Sequence, residues 1–343
     1  MTYQRLTTAT LVAGALALAS WSSAAMAEPT STYSLIDRVS GADGGWDFAS
    51  FDAVRGRVYV ARTNAVMALD VATNKVTPQL APANGGHQVL AVNNGAEVLE
   101  TDGKTNLARF IDANSGAVLA EVATGKKPDA ALIDPATGLL VVMNPGDGSV
   151  SLIDPVKHML VGSITVGGSL EVGVADGKGL VYVNIEDKNE IAILDIRQRS
   201  VVGHIALTGC DGPTGLAFVA GGTRLLSACA NGAAVVSDPI ARHALRTLAI
   251  AQKPDTVLYD VKRGLAFIPC GEGYLMIVEA AAPNAIRVAG RVETVPSART
   301  GALDPSTGKI YLPSAHFLPP VAPAKRGQAE PGSFAMLVVA PSK

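Results

Sequence analysis

The chain has 343 residues and a formal net charge of −2, from 28 basic and 30 acidic side chains. This balance, with aromatic residues at only 5%, excludes the dense basic surface and the stacking platforms that nucleic-acid binding requires. We therefore interpret pairs such as Lys126–Lys127 as solvated loop charges. The 35 glycines and the 48% hydrophobic residues are typical of an all-β chain with many tight turns.

Residues 1–27 have the pattern of a secretory signal peptide. Arg5 supplies a positive start, residues 11–21 are largely apolar, and Ala25–Ala27 forms a small-residue cleavage site. We expect cleavage before Glu28 and hence a periplasmic or secreted protein; a retained membrane anchor is the alternative. Residues 28–343 contain no run of the roughly 18 apolar residues that a membrane-spanning helix needs, so we expect no span there.

From residue 47 onward, apolar runs around an Asp-Pro-x-x-Gly type of turn return every 41–45 residues. The seven copies start at Asp47, Gln88, Asp129, Glu171, Thr214, Asp255 and Thr300. Each copy contains short β-branched runs bounded by Gly, Pro or Asp, which indicates strands rather than helices. Because this period suits one four-stranded blade, we predict that residues 28–343 form a single all-β domain, a seven-bladed β-propeller.

The seventh copy contains only three predicted strands. In the third copy, by comparison, four strands are predicted at residues 129–134, 139–144, 150–154 and 160–166. Residues 33–41 resemble such a fourth strand. We therefore predict that this N-terminal strand completes the last blade and closes the ring, through pairing of Tyr33–Val39 with Phe334–Val339.

Two loop features stand out. Acidic residues recur after the third strand of successive copies, before turn sequences, and we interpret them as turn caps rather than as ligands. These residues are Asp70, Asp112, Asp154, Asp195 and Asp238. The long Pro-rich segment at residues 314–333 of the seventh copy is either a functional lid or flexible decoration.

Several short motifs resemble the YncE-like, YVTN-repeat β-propeller proteins of bacteria. They are Gly44–Asp47, Gly86–His87, Lys127–Asp129, Gly179–Asn184, Cys210–Gly215 and Gly332–Leu337. The likeness covers nearly all of residues 28–343, and the Gly-Trp-Asp and Cys-x-x-Pro-Thr-Gly patterns carry most of it. The resemblance implies an exported propeller. It implies little about chemistry, because most proteins of that family have no assigned reaction.

The first residues of the inner strands are expected to surround one mouth of the central channel. The residues that we expect to bind a ligand there are Asp47, His87, Asp129, Asn144, Glu171, Asp255, Arg299 and His316. Polar residues at inner-strand ends also commonly bond the backbone of the next blade or hold channel water, and this structural alternative stays open. His87 taken alone favours the structural alternative, as a hydrogen-bonded channel histidine.

Four carboxylates of this group are candidate metal ligands: Asp47, Asp129, Glu171 and Asp255. Grouped carboxylates suit a hard divalent cation such as Ca²⁺, which is the one cofactor that the sequence favours. Such a cation would also polarise an ester or lactone carbonyl.

Two functions therefore compete. The first is an exported binding scaffold, expected as a monomer, with a small molecule, a cation or a protein partner at the channel mouth. The second is a metal-assisted hydrolase or lactonase that uses the carboxylates of the mouth. No H-E-x-x-H, G-x-S-x-G, P-loop or C-x-x-C motif occurs to decide between them.

Three cysteines in an exported chain leave one without a partner in each molecule. Cys210 precedes the first strand of the fifth copy and Cys229 ends its second strand, so the two are neighbours in a hairpin. Cys270 occupies the equivalent of Cys229 one blade away, where adjacent blades diverge. We predict a Cys210–Cys229 disulfide and a free Cys270; a three-cysteine metal site is the alternative.

Overall fold

The computed structural model describes residue 1, residues 32–320 and residues 327–342. Within these residues the chain forms a seven-bladed β-propeller of four-stranded antiparallel sheets, as predicted. The predicted signal peptide lies outside the described residues except for Met1. In the part of the chain that is described, no helix has the length and apolarity to cross a membrane.

Each blade takes its strands in chain order from the channel outward, with the exception of the last. Blade 1 has β2 (Trp46–Asp52), β3 (Arg57–Arg62), β4 (Ala65–Asp70) and β5 (Val76–Pro82). Blade 2 has β6 (Gly86–Val92), β7 (Glu97–Asp102), β8 (Leu107–Asp112) and β9 (Val118–Ala123). Blade 3 has β10 (Ala131–Ile133), β11 (Leu140–Asn144), β12 (Ser149–Asp154) and β13 (Met159–Thr165).

The second half of the ring follows the same plan. Blade 4 has β14 (Leu170–Ala175), β15 (Leu180–Ile185), β16 (Glu190–Asp195) and β17 (Ser200–Ala206), with a 3₁₀ turn at Glu186–Lys188. Blade 5 has β18 (Pro213–Val219), β19 (Arg224–Cys229), β20 (Ala233–Asp238) and β21 (His243–Ala249). Blade 6 has β22 (Leu258–Asp260), β23 (Leu265–Cys270), β24 (Tyr274–Glu279) and β25 (Arg287–Glu293).

Blade 7 joins the two ends of the described chain. Its order is β26 (Ala302–Asp304), β27 (Lys309–Ser314), β28 (Ala335–Pro341) and then β1 (Tyr33–Ser40). The pairing of β1 with β28 is antiparallel and runs from Tyr33 opposite Pro341 to Ser40 opposite Ala335. The predicted closure is therefore confirmed.

The burial pattern follows from the position of each strand. The second and third strands of every blade are buried along almost their whole length, because they lie between two neighbouring blades. The outermost strands alternate between buried and exposed residues or are largely exposed.

Tight turns end the strands, and the repeated acids cap these turns as predicted. Asp112 Oδ1, for example, accepts hydrogen bonds from Ser115 N at 2.7 Å and from Asn114 N at 3.1 Å.

The cysteines behave as predicted. Cys210 and Cys229 form a disulfide whose Cα atoms are 5.5 Å apart, within blade 5. Cys270 is a free and fully buried thiol at the end of β23. Burial raises the pKa of Cys270 to about 12, which leaves it as an inert apolar side chain at neutral pH.

Ring closure can be tested with two residues of β1. Tyr33 is 3% exposed and its ring lies 4.8 Å from that of Phe267 in blade 6, whereas Ile36 is 53% exposed. Tyr33→Ala is expected to lower the free energy of unfolding by about 3 kcal/mol, because it leaves a cavity between blades 6 and 7. The matched variant Ile36→Ala is expected to change it by less than about 0.5 kcal/mol. Equal effects in chemical denaturation would contradict the closure.

The disulfide closes a loop with a sequence separation of 19 residues. Replacing both Cys210 and Cys229 by Ala is expected to lower the free energy of unfolding by about 3 kcal/mol, because the unfolded chain gains loop entropy. Urea denaturation of this variant, beside the wild-type protein with and without reductant, measures the effect. A variant as stable as the oxidised wild type would contradict this account.

Candidate functional site

β-Bulges at the start of the inner strands set the direction of the side chains at the channel mouth. In blades 1, 2, 4 and 5 the pairing of the first two strands shifts register directly after its first pair. The bulged segments contain Asp47, His87, Glu171 and Thr214. A bulge turns side chains away from the regular alternation of a strand, and here it directs them into the mouth.

These side chains line a cavity of about 700 Å³. Six of the eight predicted ligand-binding residues are in its wall: Asp47, His87, Asp129, Glu171, Asp255 and Arg299. Asn144 and His316 are not. Asn144 is fully buried and donates hydrogen bonds to Ser149 and Ser151 inside blade 3, while His316 lines a smaller pocket beside Phe317.

Asp47, His87 and Asp129 meet at one point of the wall, although they belong to three successive blades. His87 Nδ1 lies 2.7 Å from Asp47 Oδ2 and 3.6 Å from Asp129 Oδ1. One donor atom from each residue lies within 4.8 Å of the other two. We call these residues the mouth triad. Two donors on a single ion at 2.0–2.2 Å are separated by roughly 3–4.4 Å, so small movements and the release of the proton between His87 Nδ1 and Asp47 would let the triad hold a metal.

The backbone around the triad is fixed by contacts between blades. Thr101 Oγ1 of blade 2 donates to Asp129 O at 2.7 Å, and Thr300 Oγ1 of blade 7 donates to Asp47 O at 2.8 Å. Arg62 is buried and donates to the carbonyl oxygens of residues 42, 44 and 45, which lead into Asp47. Polar side chains at the mouth thus bond the backbone of neighbouring blades, and His87 of the triad is itself hydrogen-bonded to Asp47 of blade 1.

The side chain of Asp129 lacks hydrogen bonds that its backbone carbonyl has. Oδ1 is buried and has no hydrogen-bond partner among the described residues. Burial raises the pKa of Asp129 above its usual range, the nearby Asp47 raises it further, and His87 opposes both. The hydrogen bond with Asp47 in turn raises the pKa of His87. A buried carboxylate oxygen without a donor is an atom that a cation would satisfy.

Two further carboxyls of the cavity have strongly raised pKa values. Burial, reinforced by Asp129 and Asp255, raises the pKa of Glu171 to about 9. Burial also raises the pKa of Asp255 to about 7, even though Arg299 Nε lies 3.1 Å from its Oδ2 and opposes the shift. Carboxyls with perturbed pKa values cluster at functional sites, so this wall is a candidate site.

Sequence reasoning missed part of the wall. Lys127 and Lys253 line the cavity and are both exposed, so Lys127 is the solvated loop charge that the sequence predicts, but its place in the wall was not predicted. Both lysines precede a proline and an aspartate, in a Lys-Pro-Asp motif that occurs in blades 3 and 6. The repetition of this motif was the signal that could have identified them. Glu186, from the 3₁₀ turn of blade 4, also lines the cavity and had no such signal.

Comparison with known proteins shows the fold but identifies no family and no function. No protein-family model and no curated protein matches this chain. Among solved structures, a chain of Kuenenia stuttgartiensis hydrazine synthase is 14% identical, with a TM-score of 0.66, over 78% of this chain and 92% of the other. A chain of a mitotic checkpoint complex is 12% identical, with a TM-score of 0.72, over 98% of this chain and 100% of the other. The YncE-like resemblance therefore stays a prediction.

The raised pKa of Glu171 predicts a pH-dependent stability. An unfolded Glu loses its proton near pH 4.5, whereas folded Glu171 keeps it up to about pH 9. Because the folded state binds more protons in this window, Glu171 makes the protein less stable as pH rises from about 4.5 towards 9. Glu171→Gln removes this cost, and is expected to stabilise the protein at pH 8 by about 1–3 kcal/mol and hardly at all at pH 4.

Thermal unfolding at both pH values measures the difference. Glu121→Gln, at an exposed position on β9, is the matched control and should change neither value. A Glu171→Gln variant whose melting temperature follows the wild type at both pH values would show that Glu171 ionises normally.

Proposed function

We propose that this protein is an exported binding scaffold that holds a divalent transition-metal ion at the mouth triad of its channel. The β-propeller fold supports a scaffold-type role, because a closed ring holds side chains from separate blades in fixed positions. The observation that carries the proposal is the convergence of Asp47, His87 and Asp129, with donor atoms within 4.8 Å of one another.

The donor set favours a different metal from the one that the sequence suggested. Ca²⁺ takes six to eight oxygen ligands, and the four-carboxylate cluster expected from sequence would suit it. The triad instead combines one imidazole with two carboxylates, while Glu171 and Asp255 lie outside it. Imidazole ligation suits Zn²⁺, Fe²⁺ or Ni²⁺, so we propose an ion of this class.

Export is supported by chemistry outside the cavity. The Cys210–Cys229 disulfide is of the kind that persists in oxidising compartments and is rare in the cytosol. Together with the signal-peptide pattern of residues 1–27, it favours a periplasmic or secreted location.

Metal-assisted hydrolysis of an ester or lactone is the second candidate. The observation that favours it is that three protein ligands face an open cavity, as in catalytic zinc sites, where a water completes the coordination. Glu171, a half-buried carboxyl in the same wall, is the group that would serve as the proton donor. A screen of esters and lactones with the metal-loaded protein and with its chelator-treated form separates catalysis from binding alone.

The metal site is tested by titrating chelator-treated residues 28–343 with Zn²⁺, Ni²⁺, Mn²⁺ and Ca²⁺ in a calorimeter. We expect one ion per chain, with Zn²⁺ or Ni²⁺ bound more tightly than Ca²⁺. His87→Ala is expected to weaken Zn²⁺ binding by at least about tenfold, because it removes the imidazole ligand.

His316→Ala is the matched control, since it removes a histidine that does not line the large cavity. Its Zn²⁺ affinity should equal that of the wild type. Binding that survives His87→Ala unchanged, or that disappears with His316→Ala, would place the metal elsewhere and overturn the proposal.

A further inference from the structure

We infer that the cavity binds the metal together with a small polycarboxylate, whose free carboxylates pair with Lys127 and Lys253. This inference rests on the proposed metal site and adds the chemical class of its co-ligand. The cavity of about 700 Å³ is the first reason, because it lies in the range of organic-ligand sites and a lone ion would fill only a small part of it.

The second reason is the placement of Lys127. Its backbone has a φ of +55°, although it precedes a proline, a position that favours extended conformations. Asn106 Oδ1 accepts a hydrogen bond from its N–H at 2.8 Å and helps to hold this conformation. The ammonium group lies close enough to His87 and Asp129 to act on their charges. Among the described residues it has no carboxylate partner within ion-pair distance.

Lys253 repeats this arrangement in blade 6. It also precedes a proline with a positive φ, +61°, and its N–H donates to Ala230 O at 3.3 Å. Blades 3 and 6 are separated by three of the seven positions in the ring, so the two lysines approach the cavity from nearly opposite sides. A ligand with two or more carboxylates has one for each lysine, while a monocarboxylate has a group for only one of them.

The charges of the wall point to an anion once the metal is present. A divalent ion neutralises Asp47 and Asp129, and Arg299 is already paired with Asp255 at 3.1 Å. Lys127 and Lys253 then share the wall with two remaining carboxyl groups, Glu171 and Glu186. A bound divalent ion raises the net charge of the cavity by two, which favours an anion as the second occupant.

The test is a calorimetric titration of the metal-free and the Zn²⁺-loaded protein with propane-1,2,3-tricarboxylate, acetate and orthophosphate. The tricarboxylate is expected to bind the loaded protein at least about tenfold more tightly than the metal-free protein, and more tightly than acetate. The double variant Lys127→Gln, Lys253→Gln is expected to lose about tenfold in tricarboxylate affinity while its Zn²⁺ affinity stays within about twofold.

The control variant Lys126→Gln, Lys188→Gln changes two lysines that do not line the cavity and should behave as the wild type. If Zn²⁺ binds but the tricarboxylate does not, or is indifferent to Lys127 and Lys253, this inference falls and the metal site stands. If orthophosphate binds the loaded protein more tightly than the tricarboxylate, the co-ligand class is wrong. If the protein binds no metal ion, the proposed function itself falls, and this inference with it.

Discussion

Closure of the ring is the constraint on which the rest of the molecule depends. Each blade is apolar on both faces, so a propeller has no stable edge until its last blade touches its first. Blade 7 provides this contact: Leu337 packs in one cluster with Phe267 of blade 6, and Met336 packs in another with Met67 of blade 1. Since β1 completes blade 7, the pairing of β1 with β28 supports both clusters.

A closed ring also forces like charges together at the channel mouth. The inner strands converge there, and bulges turn their first side chains inward. Asp47, Asp129 and Asp255 therefore act on one another's charge at partly buried positions. Without a bound cation, the protein reduces this charge repulsion by keeping protons on its most buried carboxyl groups. A bound cation would relieve the same repulsion, so the rigidity of the ring favours occupancy of the mouth.

The sequence predicted the fold well because each blade repeats the same local pattern. The 41–45-residue period, the three-stranded seventh copy and the hairpin position of Cys210 and Cys229 each depend on neighbouring residues, and each prediction is confirmed. The ends of the inner strands were harder to predict. The prediction for the first strand of blade 3 is residues 129–134, whereas the strand runs only from Ala131 to Ile133. Pro128, which lacks an N–H group, precedes this stretch.

The site was predictable only as a ring of candidates. Asp129 and Glu171 hold equivalent places in their copies, and nothing in the sequence says that Asp129 meets His87 while Glu171 stays apart. That choice depends on bulges and on contacts between blades. Asn144 shows the opposite error, because it ends the second strand of blade 3 as expected, but its side chain donates to Ser149 and Ser151 within that blade.

The strand order of blade 7 also constrains how the chain folds. Tyr33 pairs with Pro341, a sequence separation of 341 − 33 = 308 residues, whereas every other blade is built from neighbouring hairpins. Contacts of such long range form late and slowly, because the loop entropy is lost before the contact stabilises anything. Blades 1 to 6 can therefore fold one after another along the chain. In contrast, the backbone groups of β1 stay unpaired until β28 has formed. We expect the pairing of β1 with β28 to be the slowest folding step. Until it forms, β1 is the segment most exposed to pairing with other chains.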